Sequence, residues 1–295
     1  MANARALDKR RKSIRNIRKI TRTMELIATA RYKKAMDRAA AVTAYTNQIT
    51  KVVSRLVAAG TDVQHPLLET RDQPKRARLL LLASNRGLCG GYNAAILRAV
   101  MPQISLLQQT VPELVVDASG KRGINGLKYR GVSTDQQFTQ FEDQPSYNEV
   151  EAIASEYLRQ YALGEIDRLD VVYTKFISTS RQIAVVETLL PLGSLQSQSD
   201  DEPADEGSTT EFEFLPSAES ILEEIVPTSF KAKLFKCFLD AAVSEQVARM
   251  IAMKGATESA GDMIKLLSRN YNRARQSQIT GEIMEIIGGV EALAK

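Results

Sequence analysis

The residues with chemical potential are few and widely spaced. Ser84-Asn-Arg-Gly-Leu-Cys-Gly-Gly-Tyr-Asn93 is a glycine-rich stretch between an apolar run and a helical one. Its Arg86, Gly87, Gly90 and Gly91 invite a phosphate-cradle reading. The spacing is not Gly-x-Gly-x-x-Gly, and no Lys-Ser/Thr follows to reach phosphates. A sharp strand-to-helix turn needing positive φ is the stronger expectation. Ser119-Gly-Lys-Arg-Gly123 poses the same choice, an anion held at a helix start or a turn with solvated cations, and the turn is again preferred. His65 is the only histidine, and Cys89 and Cys237 stand far apart. That supply excludes a disulfide scaffold and a His/Cys metal site, and it fits a reducing compartment. There is no Gly-x-Ser-x-Gly elbow and no triad, so no catalytic constellation, cofactor or metal is expected.

Charge is the stronger signal. Met1–Arg38 holds thirteen Lys and Arg against Asp8, Glu25 and Asp37, a net +10. Arg11, Arg15, Arg18 and Arg22 fall 4-3-4 apart and make one stripe on a helix. Such a basic rail suits an acidic partner, either a protein surface or nucleic acid. The absence of Trp and the scarcity of aromatics speak against a base-stacking platform.

Proline placement then sets the elements. All nine prolines lie between His65 and Thr228, and glycine is missing before Gly60. Proline breaks helices, so two long helices are expected to flank a punctuated insert. In the first flank Ile14, Ile17, Thr21, Met24 and Ala28 follow the 3-4 spacing of a coiled-coil seam, widened by Ile20 and Ile27. In the last flank an apolar stripe runs from Leu234 through Met250, Ile251, Ile264, Leu267, Tyr271 and Ala274 to Val290, with Pro227-Thr228-Ser229 as the helix entry. Helices over 4–58 and 229–290 would measure roughly 80 and 90 Å. A compact globule of this length has a radius of gyration of only about 19 Å, so the two should clasp each other antiparallel.

The expected organisation is an N-terminal coiled-coil helix over 1–60, a head over 66–227 and a C-terminal coiled-coil helix over 228–295. The head reads as α/β, a small, partly parallel, Rossmann-like sheet with flanking helices. Strands are expected at Arg76–Ala83, Glu113–Asp117, Asp170–Ser178 and Gln182–Leu190, the last two as a hairpin. Helices are expected at Ala94–Gln109, after Gly120, and at Ser146–Leu163. An acidic stretch at 197–211 reads as a surface loop. The chain is 44% apolar with 39 basic and 35 acidic residues, and it contains no run long enough to span a membrane. Its first residues lack the apolar core of a secretory signal.

Taken together, Lys12-Ser-Ile-Arg-Asn-Ile-Arg-Lys-Ile-Thr-Arg-Thr-Met-Glu-Leu-Ile-Ala28, the Ser84–Asn93 turn, Tyr173-Thr-Lys-Phe-Ile-Ser-Thr179, Ser244–Lys254, Tyr271–Gln276 and Ile279–Ile283 resemble the gamma subunit family of F-type ATP synthases. The resemblance implies a non-catalytic central-stalk rotor, single-copy, turning inside a hexamer of alpha and beta subunits. It implies contacts with the epsilon subunit and the membrane ring of c subunits, and a peripheral place on the cytoplasmic face of a bacterial inner membrane. Carried over onto this chain, Met24, Arg249, Arg275, Gln276, Thr280 and Glu282 would meet beta. Glu211–Pro216 would lie near the ring, and Ile286–Leu293 would be an apolar tip in the hexamer's collar. Gly281 departs from the long polar residue the family pattern leads one to expect. The alternative is a basic coiled-coil adaptor for nucleic acid; a small nucleotide-binding enzyme is weaker still.

Overall fold

The computed structural model describes residues 4–58, 67, 74–141, 144–192 and 218–293. The elements are α1 (Ala4–Ala58), β1 (Arg76–Leu82), α2 (Tyr92–Thr110), β2 (Glu113–Ser119), α3 (Lys121–Tyr129), β3 (Gln137–Phe138), α4 (Tyr147–Ala162), β4 (Arg168–Phe176), β5 (Gln182–Leu190) and α5 (Ala218–Leu293). Contacts divide the chain into two units, Met1–Thr29 with Arg249–Lys295, and Ala30–Ala248. Acidic loop 197–211, His65 and Glu211–Pro216 lie outside the described residues.

The larger unit is built on a five-stranded sheet in the order β3-β2-β1-β4-β5. β1 pairs parallel with β2 and β4, and β4 pairs antiparallel with β5. The central strand Arg-Ala-Arg-Leu-Leu-Leu-Leu is buried from Ala77 onward because helices cover both faces. Alternation then sorts its side chains. Ala77, Leu79 and Leu81 pack with Tyr92, Ile96, Val100 and Ile104 of α2. Leu80 and Leu82 pack on the other face with Val150 and Tyr157 of α4, Ala35 and Ala39 of α1, and Phe230, Leu234 and Phe238 of α5. Each fully buried leucine contributes roughly 1.5–3 kcal/mol. α4 starts where the sequence signals it, at a capping box in which the Ser146 hydroxyl accepts from the Glu149 N–H.

One strand goes unannounced in the sequence, and one expectation is corrected. β3 is only two residues long and carried no apolar alternation to announce it. α5 begins at Ala218, and Pro227 lies inside it rather than at its entry. Val226, Phe230 and Leu234 are fully buried on either side of that proline, so packing outweighs the backbone hydrogen bond it forfeits.

Charged groups also enter this core. Asp117 of β2 is wholly buried, with Arg78 Nε 2.8 Å from one carboxylate oxygen. The Tyr157 hydroxyl donates to the same oxygen at 2.8 Å, and the Gln136 N–H donates to the other at 3.0 Å. Burial nevertheless raises the Asp117 pKa, the Arg78 charge offsetting it only in part. Arg78 itself donates to Gln160 and Asp135. Replacing Arg78 with Met strands a buried carboxylate and should destabilise the chain by about 3–5 kcal/mol in denaturant unfolding. A loss below about 1 kcal/mol would show that Asp117 does not depend on this partner.

Asp240 of α5 is 6% exposed. Burial pushes its carboxyl up to about 6, against the pull of Lys236 and Lys175, with Glu187 adding to the rise. Between roughly pH 4 and 6 the folded chain therefore holds more protons at this site than the unfolded chain. Stability falls as pH climbs through that window and stays lowered above it. Asp240→Asn should be more stable than the parent at pH 8, by on the order of 2–3 kcal/mol, with the difference closing toward pH 4. Equal unfolding midpoints at pH 8 would refute this.

Candidate coupling surface on the terminal helices

In the smaller unit α1 and α5 face each other through a seam of period 3.5. On α1 the less exposed positions are Leu7, Ile14, Thr21 and Ala28, a strict heptad, with Asp8, Arg11, Met24 and Glu25 between. On α5 they are Met253, Thr257, Ala260, Ile264, Leu267, Tyr271 and Ala274, alternately four and three apart. This is the patterning of helices that wind around each other. The Thr257 hydroxyl lies 2.9 Å from that of Thr21, Gly261 is level with Arg18, and the Arg11 guanidinium lies 4.7 Å from the Tyr271 ring centre. One residue number falls as the other rises, so the helices are antiparallel.

The seam departs from the sequence expectation in its flanks. Ile17, Ile20 and Ile27 are 45%, 59% and 46% exposed, and Ile251 is also turned outward. Because Thr21 and Ala28 hold the line, residues one position before them rotate about 100° away from it. Leu26 joins them, leaving an apolar band on the outside of the pair.

The basic rail is partly rearranged. Arg15, Arg18 and Arg22 are exposed. Arg11 instead turns inward, bonded to Asp8 at 2.6 Å and stacked on Tyr271. Arg22 donates to Glu25 at 2.7 Å. Lys12 and Arg11 hold the Asp8 carboxyl below its ordinary value. Met24 is half-buried, Arg275, Gln276, Thr280 and Glu282 are exposed, and Arg249 is buried.

With Arg11 level with Tyr271, the described start of α1 is level with about residue 278. Past that level α5 has no described neighbour from α1. Ile279, Ile283, Met284, Ile286, Ile287, Val290 and Leu293 all stand exposed. A side chain at every third or fourth position of a helix left bare in this way marks a contact surface.

The glycine turn of the larger unit is a structural corner. Positive φ falls on Leu88 (66°) and Gly90 (56°) rather than on Gly87 or Gly91. Asn85 donates to the carbonyls of Thr139 and Phe141, and Asn93 donates to the Ser84 hydroxyl. Gly87 leaves room for the Arg122 guanidinium, 3.0 Å from where its Cβ would stand, while Arg86 is exposed. At the start of α3 the Lys121, Arg122, Gly123 and Ile124 N–H groups all donate within the chain. They leave an anion no free backbone N–H there. Gly120, at φ 93°, is required because a Cβ would stand 2.1 Å from the Ala83 carbonyl oxygen. Sequence motifs flagged the turn; the pairing of its donors is legible only in three dimensions. Cys89 and Cys237 are free and buried. No described helix is long and apolar enough to cross a membrane, and the described residues contain no cluster of His, Cys, Asp and Glu suited to a metal ion.

The fold is a mixed α/β unit carried in sequence between two long helices, which pair antiparallel at their outer ends. A family model described as ATP synthase matches residues 3–293. The chain is 77% identical to the ATP synthase gamma chain of Rhodopirellula baltica, covering 99% of each. It is 37% identical to the gamma chain of Leptospira biflexa over the full length of both, and 38% identical to that of Frankia casuarinae, over 97% of this chain and 96% of the relative. The chain belongs to the ATP synthase gamma chain family. Its fold is also similar to chains in two structures of Euglena gracilis mitochondrial ATP synthase. One, of the rotor in rotational state 1, gives a TM-score of 0.61 at 16% identity, covering 94% of this chain and 98% of the other. The second, of the OSCP/F1/c-ring assembly in rotational state 3, gives 0.63 at 18% identity, covering 98% and 94%. Nothing in these likenesses supports the nucleic-acid adaptor.

Gly281 lies in the bare stretch of α5, with open space where a Cβ would stand. Gly281→Ala should stabilise this part of the helix by about 1 kcal/mol. Amide exchange around residues 278–285 of the isolated chain should then slow about fivefold. Unaltered exchange would mean that glycine's backbone freedom does not limit the helix here.

Proposed function

We propose that this chain is the central-stalk rotor of an F-type ATP synthase. It turns with the membrane ring of c subunits and carries torque into a hexamer of alpha and beta subunits, so that ion flow drives ATP synthesis. Residues 1–60 and 228–295 serve as the stalk and 66–227 as the head, which meets epsilon and the ring, the latter through the Glu211–Pro216 stretch. The chain performs no nucleotide chemistry; that belongs to its partners. It works at the cytoplasmic face of the bacterial plasma membrane, held there through the complex.

The observation that carries this reading is the end of α5. From Ile279 to Leu293 a helix displays an apolar surface that no described residue of α1 covers. Burying that surface needs a collar supplied by other subunits. Membership of the gamma chain family says which subunits. The exposed Arg15, Arg18 and Arg22 give the pair a cationic side that suits acidic segments of beta passing it, with Arg11 bracing the seam behind them. Arg275, Gln276, Thr280 and Glu282 stand exposed, Met24 is half-buried at the edge of the seam, and all five act as beta contacts. Arg249, buried in the chain, supports that group from inside. Arg86, Gly87, Gly90 and Gly91 shape the head's corner.

Combining the purified chain with alpha, beta, epsilon and ring-containing membranes should restore ion-coupled ATP synthesis, while the chain alone hydrolyses no ATP. Hydrolysis by the chain alone, or no stable complex with alpha and beta, would count against the reading. Met24→Lys should lower coupling efficiency, so that fewer ATP are made per ion passed, without preventing assembly. Unchanged coupling in that variant would remove Met24 from the contact.

A further inference from the structure

Between Lys231 and Ser244, α5 is tied to the sheet unit by polar contacts that its apolar packing does not require. The Lys233 ammonium lies 2.9 Å from Glu187 on β5, and the Tyr173 hydroxyl of β4 donates to that carboxylate at 2.6 Å. Lys231 reaches Glu151 on α4 at 3.0 Å. The Ser244 hydroxyl donates to the Thr174 carbonyl of β4 at 3.1 Å. From the other side the Tyr92 hydroxyl of α2 donates to the Ala241 carbonyl at 3.1 Å.

Their placement around the helix is what gives them a mechanical meaning. At 100° per residue Lys231 and Lys233 point about 160° apart, so one ion pair grips each flank of α5. Ser244 lies eleven residues beyond Lys233, about 16 Å along the axis and within about 20° of the same direction. Two attachments on one face and a third opposite resist both spinning and sliding. Apolar contacts alone do not, because packed helices slide past each other in small steps. The charges are also costly where they stand. Glu187 and Lys233 keep only 15% and 20% of their side-chain surface exposed, and such pairs are often replaceable by apolar residues with no loss of stability.

We propose that Glu187, Lys233 and Tyr173, with Lys231–Glu151 on the opposite flank, are positioning residues that key α5 rotationally to the sheet unit, so that torque passes into the helix without slip. This rests on the rotor reading. None of these residues belongs to the coupling surface of the outer helices.

The test uses the assembled complex in vesicles and measures ions pumped per ATP hydrolysed. Tyr173→Phe/Glu187→Leu/Lys233→Met removes the key while keeping apolar volume. The chain should melt no lower than the parent and hydrolysis should continue, but pumping per ATP should fall at least twofold. As a second variant set, Lys233→Glu places two carboxylates together and should lower pumping per ATP as well. The exchange Glu187→Lys/Lys233→Glu should restore most of it, a rescue that a purely structural loss would not give. Parental pumping by the apolar variant, or failure of the exchange to rescue the single reversal, overturns the keying while leaving the rotor reading intact. If the parental chain itself supports no coupled pumping, the rotor reading fails and the keying falls with it.

Discussion

The apolar stripe of α5 is the constraint on which the rest depends. A helix of 76 residues holds its shape in water only where that stripe is covered. Over Val226 to Val247 the cover is the sheet unit, through Phe230, Leu234 and Phe238 on one side and contacts near Ala248 on the other. From Met253 to Ala274 it is α1, through Thr21, Ala28 and their heptad neighbours. Beyond that, none of the described residues covers it. The three stretches differ in composition to match. Bulky Phe and Leu sit against the sheet, Ala and Thr alternate with larger Met, Ile, Leu and Tyr where α5 faces α1, and Ile and Met stand where the surface is bare.

Small seam residues have a second consequence. Ala28 on α1 and Ala260 on α5 bury little area each, so the pairing gains less from burial than a leucine seam would. Specific contacts supply what bulk does not. Thr257 bonds to Thr21 across the seam, and Arg11 lies over Tyr271. The same residues that give a slender pair therefore also fix which level of one helix meets which level of the other.

The sheet unit follows a different logic. Its central strand order matches half of a doubly wound nucleotide-binding fold, yet the turns that such folds use for phosphates are occupied by their own chain. Asn85 caps the start of α3 and the glycines admit close packing rather than a ligand. A fold that elsewhere binds nucleotides is here braced from within by buried groups such as Arg78, Asp117 and Tyr157.

By itself the sequence determined the long helices, the strands with four or more consecutive buried residues, and the hairpin of β4 and β5. These depend on local periodicity and on where proline and glycine fall, and both are written in one dimension. Only the tertiary structure decided that Pro227 lies within α5, because its neighbours' burial outweighs one missing hydrogen bond. It also decided that Arg11 leaves its stripe for Tyr271, and that Ile17, Ile20 and Ile27 face outward. A 3-4 pattern admits adjacent seams that differ by one residue, and the choice among them is made by which side chains the partner helix can accept. The polar ties of Lys233, Glu187 and Ser244 were likewise invisible in sequence, since residues 46 to 70 positions apart meet only once the sheet has formed.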